Sequence, residues 1–305
     1  TLTAVTTSMN NYRYRAVLNG TCTVNLNSSA AILTVNTPVS ITKQPVNTSV
    51  CRGSNMSFTV TATGTTITYQ WQLSINGNPF NNLTNSAPYS GVTTSTLNIT
   101  NAPMSLNGNT YRVIVSGIPC GAVNSSAAGI TVNELPGIVL AAAEYNRLMP
   151  SLHTTLYTTL SPVGSYTFKW YRNAFPVNGA LSSNLPVDVD GFGEYAVIAT
   201  DANGCSVQSN RVSIADSAST QIFIYPNPNN GQFQVRYFSP NNTGLGRTIN
   251  VYDSKGALVY SKLYNVANTY NRMDVNMTNM PSGIYTVDLL NAKGKRIAKG
   301  MVVLQ

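Results

Sequence analysis

Titratable side chains are scarce in this chain, and their scarcity argues against catalysis. Only 9% of its 305 residues are charged, there is a single histidine, and none of the ten Asp and Glu residues precedes Glu134. General acid–base chemistry needs paired titratable groups in a shared pocket. The sequence also lacks a phosphate-binding glycine loop, a Gly-x-Ser-x-Gly motif and a His-Glu-x-x-His motif. We therefore predict that these residues form no enzyme and hold no cofactor.

Long apolar runs are also missing. No stretch approaches the roughly 18 apolar residues that a membrane-spanning helix needs. The chain begins at Thr1 without a methionine, a basic leader or a signal-like apolar segment, so we expect the natural N-terminus to lie upstream. Hydrophobic residues make up 43% of the chain, enough for the cores of roughly two to four modules.

The residues that are abundant indicate strands. Asn, Thr, Ser and Val predominate, turn clusters recur every roughly 8 to 12 residues, and no segment sustains a helical period. Polar and apolar residues alternate plainly around residues 56–61, 67–72 and 110–115. The pattern predicts an all-β chain of sandwich modules with almost no helix.

An internal repeat organises the chain up to residue 215. Residues 105–133 run from a Tyr-Arg strand through Cys120 to a Ser-Ser-Ala-Ala segment, and residues 9–36 repeat this order through Cys22. Residues 1–37 therefore correspond to the second half of one unit and residues 38–134 to a complete one. A third, diverged unit covers residues 135–215, in which Trp170 corresponds to Trp71.

These units resemble immunoglobulin-like domains of bacterial surface proteins. The resemblance rests on a strand tryptophan, Trp71 or Trp170, and on a glycine shortly before a strand tyrosine, as in Gly108 with Tyr111 and Gly193 with Tyr195. In such sandwiches the tryptophan fills the core and the tyrosine hydroxyl fastens a strand corner. An aromatic platform for a ligand is the alternative use of these side chains.

The four cysteines predict an oxidising location. Cys51 precedes the first core strand of the complete unit and Cys120 follows its tyrosine strand, so we expect a Cys51–Cys120 disulfide at one end of that sandwich. Cys22 has the same position as Cys120, which would put its partner upstream. Cys205 occupies the equivalent position in the third repeat, where no second cysteine occurs. We therefore expect Cys205 to be free or paired with another molecule. No metal-ligand spacing is present.

Two further groups have both a chemical and a structural interpretation. His153 fits a strand or loop better than a general base. Asp188, Asp190 and Asp201 carry oxygen ligands suited to calcium, but a turn before the Tyr195 strand explains the same residues. We favour the turn and predict no metal site.

Turn chemistry defines the last 80 or so residues. Pro226 and Pro228 remove two backbone donors, and Gly231 then turns the chain into a strand. Pro281 presets a second turn in which Gly283 is free to take a positive φ. Two hairpins with similar turns, 253–256 and 291–294, complete a predicted small antiparallel sandwich ending in a basic-apolar strand. That strand carries Ile297, Lys299, Met301 and Val303 on one face.

The order and spacing of these segments resemble the type A C-terminal sorting domain of the bacterial type IX secretion system. The resemblance covers roughly residues 219–305 and implies a sorting domain at 222–305. Together with the resemblance of the repeats, it gives an all-β chain of tandem immunoglobulin-like β-sandwiches followed by this small antiparallel sandwich. It implies a cargo that crosses the periplasm, passes an outer-membrane translocon and reaches the cell surface or medium. The residues expected to be recognised for export are Pro226, Asn227, Pro228, Gly231, Pro281, Gly283, Tyr285, Lys295 and Lys299.

The resemblance also implies specific partners and a cleavage point. These are an outer-membrane shuttle barrel, a surface sortase that cuts before the domain, and a lipopolysaccharide anchor. Asp216, Ser217 and Ala218 also match an Asp-Ser/Thr-apolar acceptor sequence, which would place an O-linked glycan on Ser217. The expected cleavage linker, residues 216–221, consists of Asp216, Ser217, Ala218, Ser219, Thr220 and Gln221.

The net charge of +8 does not indicate a nucleic-acid partner. From residue 219 onward the sequence has nine Lys and Arg residues and three Asp residues. The basic residues are spread over turns and one strand rather than clustered with aromatic residues. For the repeats, few charges and short polar loops favour a passive stalk. Direct binding of glycans or proteins, as in an adhesin, and service as the tail of an enzyme encoded upstream stay open as alternatives.

Overall fold

The computed structural model describes residues 2–21, 23–240 and 245–305. Strands dominate these residues, and their helical elements are two three-residue 3-10 turns, Thr7–Met9 and Met104–Leu106. The all-β prediction is therefore confirmed. The chain forms two compact units, one of Thr1–Leu135 with Asn203–Cys205 and one of Pro136–Ala202 with Ser206–Gln305.

The first unit begins with four short strands and continues as a sandwich. Strands β1, β2 and β4 are exposed, whereas the later strands enclose a core around Trp71. The strands are β1 (Arg13–Tyr14), β2 (Val17–Gly20), β3 (Thr23–Asn27), β4 (Ala31–Ile32), β5 (Ser40–Lys43), β6 (Thr48–Cys51), β7 (Met56–Thr59), β8 (Thr61–Thr63), β9 (Ile67–Ser74), β10 (Asn81–Asn82), β11 (Tyr89–Ser90), β12 (Thr96–Ile99), β13 (Thr110–Gly117), β14 (Gly121–Asn124) and β15 (Ala128–Asn133).

The second unit contains another sandwich and the C-terminal strands. Its first nine strands are β16 (Gly137–Ala142), β17 (Arg147–Leu148), β18 (Thr154–Ser161), β19 (Thr167–Arg172), β20 (Phe175–Pro176), β21 (Asn184–Val187), β22 (Gly193–Thr200), β23 (Ser206–Gln208) and β24 (Val212–Asp216).

The larger sheets of the two sandwiches share one strand order, as the sequence repeat predicts. One sheet is β10-β9-β13-β15-β6 with β14 on β13, and its counterpart is β17-β24-β22-β19-β20 with β23 on β22. In both, the last long strand pairs in parallel with a short early one, β15 with β6 and β24 with β17. The opposing sheets are β11-β12-β7 and β16-β18-β21.

Buried aromatic and serine side chains recur at equivalent places. Trp71 and Trp170 are fully buried and donate their indole N–H to the carbonyl oxygens of Thr94 and Ser182, so they fill cores and offer no ligand platform. Tyr195 Oη donates to Gly191 O at 2.5 Å, which confirms the corner contact there. Tyr111 Oη instead meets another tyrosine hydroxyl, that of Tyr89. A serine hydroxyl accepts a backbone amide twelve residues earlier in all three repeats: Ala16 to Ser28, Val113 to Ser125 and Val197 to Ser209.

The C-terminal strands form a two-sheet sandwich with its own core. A three-stranded and a four-stranded sheet enclose Phe233, Val251, Val287 and other apolar residues. The strands are β25 (Ile222–Tyr225), β26 (Gln232–Tyr237), β27 (Leu245–Tyr252), β28 (Leu258–Val266), β29 (Met273–Asn276), β30 (Gly283–Leu290) and β31 (Arg296–Leu304).

Both predicted hairpins of this sandwich are confirmed. The sheet orders are β25-β26-β29 and β28-β27-β30-β31. In the turn before β28, Asp253 Oδ1 accepts the amides of Lys255 and Ala257 at 2.9 and 2.8 Å. Asn291 Oδ1 accepts those of Lys293 and Lys295, both at 3.0 Å, before β31. The same side-chain-to-backbone chemistry therefore builds both turns.

The predicted Cys51–Cys120 disulfide is wrong, because the two residues lie at opposite ends of β13. Cys51 ends β6 opposite Asn133 of β15, beyond the first residue of β13. Cys120 follows the last residue of β13, about 26 Å further along at the usual rise per residue. A disulfide needs Cα atoms within about 7 Å of each other.

Cys51 is instead bonded to Cys205, with a Cα–Cα distance of 5.6 Å. Cys205 lies in the turn between β22 and β23, so its prediction as a free or intermolecular thiol is also wrong. Cys120 is an exposed free thiol. Cys22 lies outside the described residues.

Candidate sorting-signal site

The terminal strand, β31, is an edge strand of the four-stranded sheet. It pairs with β30 along its whole length, from Arg296 opposite Leu290 to Leu304 opposite Gly283. Val302 and Leu304 point into the core, whereas Lys299 and Met301 are exposed on the other face. The strand thus contributes both to the fold and to a solvent-facing surface.

Asn227 attaches the proline segment, Pro226, Asn227 and Pro228, to this strand. Its Oδ1 accepts the amide of Val303 at 2.8 Å and its Nδ2 donates to the carbonyl oxygen of Met301 at 3.1 Å. One side-chain amide thereby satisfies two backbone groups as a neighbouring strand would. All three residues of the segment are exposed.

Asn229, which the sequence analysis did not single out, is the buried anchor of the same segment. Its amide donates to Val303 O at 3.0 Å, and its carbonyl oxygen accepts the Gln305 amide at 2.8 Å. The Asn229 side chain also closes the turn, since its Nδ2 donates to Pro226 O and its Oδ1 accepts the Gly231 amide at 2.7 Å. The signal available in the sequence was the run Asn-Asn-Gly at residues 229–231, which is typical of a turn.

Gly231 occupies a position that only glycine fits. Its φ is +93°, and an added Cβ would lie 2.6 Å from Thr278 Cα and 2.8 Å from the carbonyl carbon of Met277. Gly231 O also accepts the Met277 amide at 2.6 Å. The glycine therefore brings the proline segment against the chain that leads to Pro281.

The second motif forms a tyrosine corner. Tyr285 is 6% exposed, and its hydroxyl donates to Pro281 O at 2.7 Å, the same four-residue spacing as Tyr195 to Gly191. The expectation of a positive φ at Gly283 is wrong. Gly283 is the first residue of β30 and is absent from the positive-φ positions, because Pro281 and the Tyr285 hydroxyl already shape the corner.

The basic side chains at the start of β31 face solvent. Lys295 and Lys299 are exposed, and Lys299 sits opposite Asp288 on β30. Asp288 is 8% exposed and accepts a hydrogen bond from Arg296 at 3.2 Å. Its carboxylate is thus engaged by Arg296 at the sheet surface, while the two lysines extend outward.

A cavity of about 440 Å³ opens beside the proline segment. Tyr225 and Pro226 form one wall, and Lys262, Arg272 and Asp274 contribute charged groups. Arg272 Nε donates to Asp274 at 2.7 Å. The cavity is therefore a polar recess in the surface that carries the first motif.

Part of the expected cleavage linker belongs to the folded structure. Asp216 ends β24, and Ser217 donates its amide to Leu148 O at 2.8 Å and accepts the Tyr270 hydroxyl at 2.6 Å. Ala218, Thr220 and Gln221 are exposed. Residues 218–221 are thus the exposed part of the linker.

Asp190, considered above as a calcium ligand, is held by an arginine. Arg236 Nη1 and Nη2 contact its two carboxylate oxygens at 2.6 and 2.7 Å. The Arg236 guanidinium lowers the pKa of Asp190. Asp188 Oδ1 accepts the Asp190 amide, as expected for a turn before the Tyr195 strand. Within residues 2–21, 23–240 and 245–305, no cluster of three potential metal ligands occurs.

Comparison with known families matches two parts of the chain. Residues 223–303 match the family described as the Secretion system C-terminal sorting domain. Residues 42–134 match a domain of unknown function, DUF8696. No curated protein matches the chain.

Several solved structures of immunoglobulin domains are similar in fold. A three-domain titin fragment, an E-to-A mutated variant, is 16% identical, with coverage of 88% of this chain and 97% of the fragment and a TM-score of 0.37. The eight N-terminal immunoglobulin domains of Down syndrome cell adhesion molecule are 15% identical, with coverage of 97% and 40% and a TM-score of 0.46. Sidekick-1 immunoglobulin domains 1–5 are 16% identical, with coverage of 98% and 67% and a TM-score of 0.35.

The C-terminal sandwich is a sorting domain of the type IX secretion system, and the two sandwiches before it have an immunoglobulin-like arrangement of strands. The protein is accordingly cargo that is exported across the outer membrane to the cell surface or extracellular space, and its sorting domain interacts with the secretion machinery. The sorting domain is non-catalytic. Within the described residues, no helix combines the length and apolar character needed to cross a bilayer.

Proposed function

We propose that the secretion machinery recognises the terminal strand and the proline segment attached to it. The observation that carries this proposal is the partly open edge of β31. The proline segment engages Met301 and Val303, whereas residues 296–300 have only β30 as a hydrogen-bonded strand neighbour among the described strands. An open edge flanked by Lys295 and Lys299 suits strand addition by a partner such as the shuttle barrel.

The decisive test removes charge without removing the strand. Deleting the chain from Lys295 would trap the protein in the periplasm, but it would also remove Val302 and Leu304 from the core. The double variant Lys295→Gln and Lys299→Gln keeps the fold, and we expect it to accumulate in the periplasm. The matched control, Lys43→Gln with Lys255→Gln, removes equal charge from exposed positions elsewhere and should be exported normally. Equal export of both double variants would refute the proposal.

The remaining recognition residues act through the shape of the domain. Gly231, Pro281 and Tyr285 set the corners that present the proline segment and β31, and Gly283 begins the strand β30 that pairs with β31. After export, a surface sortase would cut within the linker and join the new end to a lipopolysaccharide anchor. Ser217 is the proposed O-glycosylation acceptor in that linker.

For the part before the linker we propose a stalk of repeats, divided at residues 1–37, 38–134 and 135–215, with the sorting domain at 222–305. Support comes from the shared strand order of the two sandwiches. An upstream enzyme or adhesive head remains compatible with a stalk.

Direct ligand binding by the repeats is a second candidate. It is favoured by a cavity of about 310 Å³ on the second sandwich, lined by Tyr171, Ile198 and Arg211 among others. We would pass the full chain over polysaccharide resins and host-surface proteins. Retention that Arg211→Ala abolishes would support binding, and no retention on a broad panel would exclude this candidate.

A further inference from the structure

The linker before the sorting domain is fixed at both ends. Ser217 is bound through its amide to Leu148 O and through its carbonyl oxygen to Tyr270 Oη. Strand β25 begins at Ile222. Only residues 218–221 separate these anchors, and fully extended they would span at most about 14 Å.

Aromatic side chains of the sorting domain pack against the core of the preceding sandwich. Tyr270 is 2% exposed and belongs to the cluster that contains Leu148 and Trp170. Phe223 and Phe238 pack against the same cluster, with ring centroids 6.0 and 5.4 Å from that of Tyr270. Burial raises the pKa of Tyr270 to about 12, so its hydroxyl stays protonated at neutral pH and remains a donor to Ser217.

The buried side chain of Arg236 stabilises the same contact. The Arg236 side chain is 3% exposed and binds both oxygens of Asp190, which belongs to the preceding sandwich and is itself 61% exposed. Arg236 Nη1 also donates to Tyr270 O at 3.0 Å, and its Nε donates to Gln234. A bidentate pair of this kind has a defined geometry, and loss of the carboxylate would leave a buried, unpaired charge.

We propose that this contact, made by Arg236, Tyr270, Phe223 and Phe238, docks the sorting domain on the preceding sandwich and holds the linker in a short, fixed form that resists cleavage until the contact opens. The proposal rests on the proposed cleavage of the linker and adds a control step to it. A protease binds its substrate as an extended segment with residues on both sides of the scissile bond. Four residues between fixed ends do not provide such a segment, so the docked form resists cleavage and the undocked form is the substrate.

The rate of cleavage then reports the open fraction. When opening and closing are fast, proteolysis follows the equilibrium population of the open form. Opening breaks the Asp190–Arg236 pair and the Tyr270–Ser217 hydrogen bond, and both of these can be changed singly. The sorting machinery would promote cleavage by binding the sorting domain in its undocked state.

The test is limited proteolysis of the purified, oxidised full chain with a low concentration of a broad-specificity protease. Intact-mass spectrometry gives the rate of cleavage within residues 218–221. We expect Asp190→Asn to raise this rate at least about tenfold and Tyr270→Phe to raise it by a smaller factor. The matched control is Glu194→Gln, which removes a carboxylate that pairs with Arg211 inside the same sandwich and should leave the rate unchanged.

A second variant tests whether faster cleavage of Asp190→Asn results only from misfolding. Eight Gly and Ser residues inserted between Gln221 and Ile222 lengthen the linker and leave both domains intact. This variant should be cut rapidly, and Asp190→Asn should accelerate it no further. The proposal is overturned if the native linker is cut as fast as the lengthened one, or if Asp190→Asn and Glu194→Gln behave alike. Because purified protein is used, either failure is separate from absence of cleavage in cells, which would count against the proposed function.

Discussion

At the scale of single residues, the glycines of the sorting domain differ sharply in what they do. Gly231 and Gly256 both have positive φ, +93° and +85°, but only Gly231 has backbone atoms within 3 Å of where a Cβ would stand. The turn at Gly231 was predictable from Asn-Asn-Gly in the sequence, whereas its contact with Met277 and Thr278 depends on strands about 45 residues apart. Gly283 is the opposite case. Its position after Pro281 suggested a positive φ, but the residue has no positive φ, because the hydrogen bond from Tyr285 to Pro281 already shapes the corner.

Gly231→Ala should therefore destabilise the sorting domain by more than Gly256→Ala. We expect about 1 kcal/mol from the unfavourable φ in the control and at least about 3 kcal/mol at Gly231, where the backbone must also move. Urea unfolding monitored by tyrosine fluorescence measures both. Equal losses would show that the close approach at Gly231 has no energetic consequence.

At the scale of elements, the terminal strand is held by a side chain as much as by a sheet. β30 satisfies one side of β31, and Asn227 and Asn229 satisfy the C-terminal part of the other. Alternation and the Asx-x-x-Gly turns were enough to predict a terminal strand and both hairpins, because these features are local. The pairing of Asn227 with Met301 and Val303 is not local and has no signature in the sequence.

Asn227→Ala should loosen the end of β31 without unfolding the domain. We expect faster hydrogen exchange at the Val303 amide by about fivefold, because one hydrogen bond contributes about 1 kcal/mol. Asn265→Ala, at an exposed position of the opposite edge strand β28, is the control and should leave Val303 unchanged. Unaltered exchange in Asn227→Ala would mean that the proline segment does not hold the strand.

At the scale of the whole molecule, long-range pairs decide what the sequence could not. Cys51 and Cys205 are 154 residues apart, and the similarity between repeats pointed to Cys120 instead. Equivalence between units indicates where a cysteine lies within its own unit, but it does not indicate which cysteine is the partner. The Asp190–Arg236 pair was missed for the same reason, since each residue has an adequate local explanation.

Peptide mapping without reduction should recover a Cys51–Cys205 cross-linked peptide. Iodoacetamide applied to the native protein should label Cys120, which is exposed. Reduction before digestion should abolish the cross-linked peptide and serves as the control. A Cys51–Cys120 peptide would contradict the disulfide described here.

Acid should weaken the contact made by Asp190. Arg236 lowers the pKa of this carboxyl below its usual value of 3.8, so its stabilising effect is fully present above that pH and is lost as the pH falls through the lower, folded-state pKa. The difference in thermal midpoint between the wild type and Asp190→Asn should be constant above about pH 5 and shrink below 3.8. A difference that persists unchanged well below this pH would argue against an ionised pair, whether with Arg236 or with nearby Arg272.

The C-terminal sandwich is an export signal, and we propose that it is removed at the linker. The most direct measurement is the C-terminal peptide of the protein, determined by mass spectrometry on surface, culture-fluid and periplasmic fractions of the native cells. We predict intact Gln305 in the periplasm and new ends within residues 218–221 outside the cell. Intact Gln305 on the protein outside the cell would contradict removal of the domain.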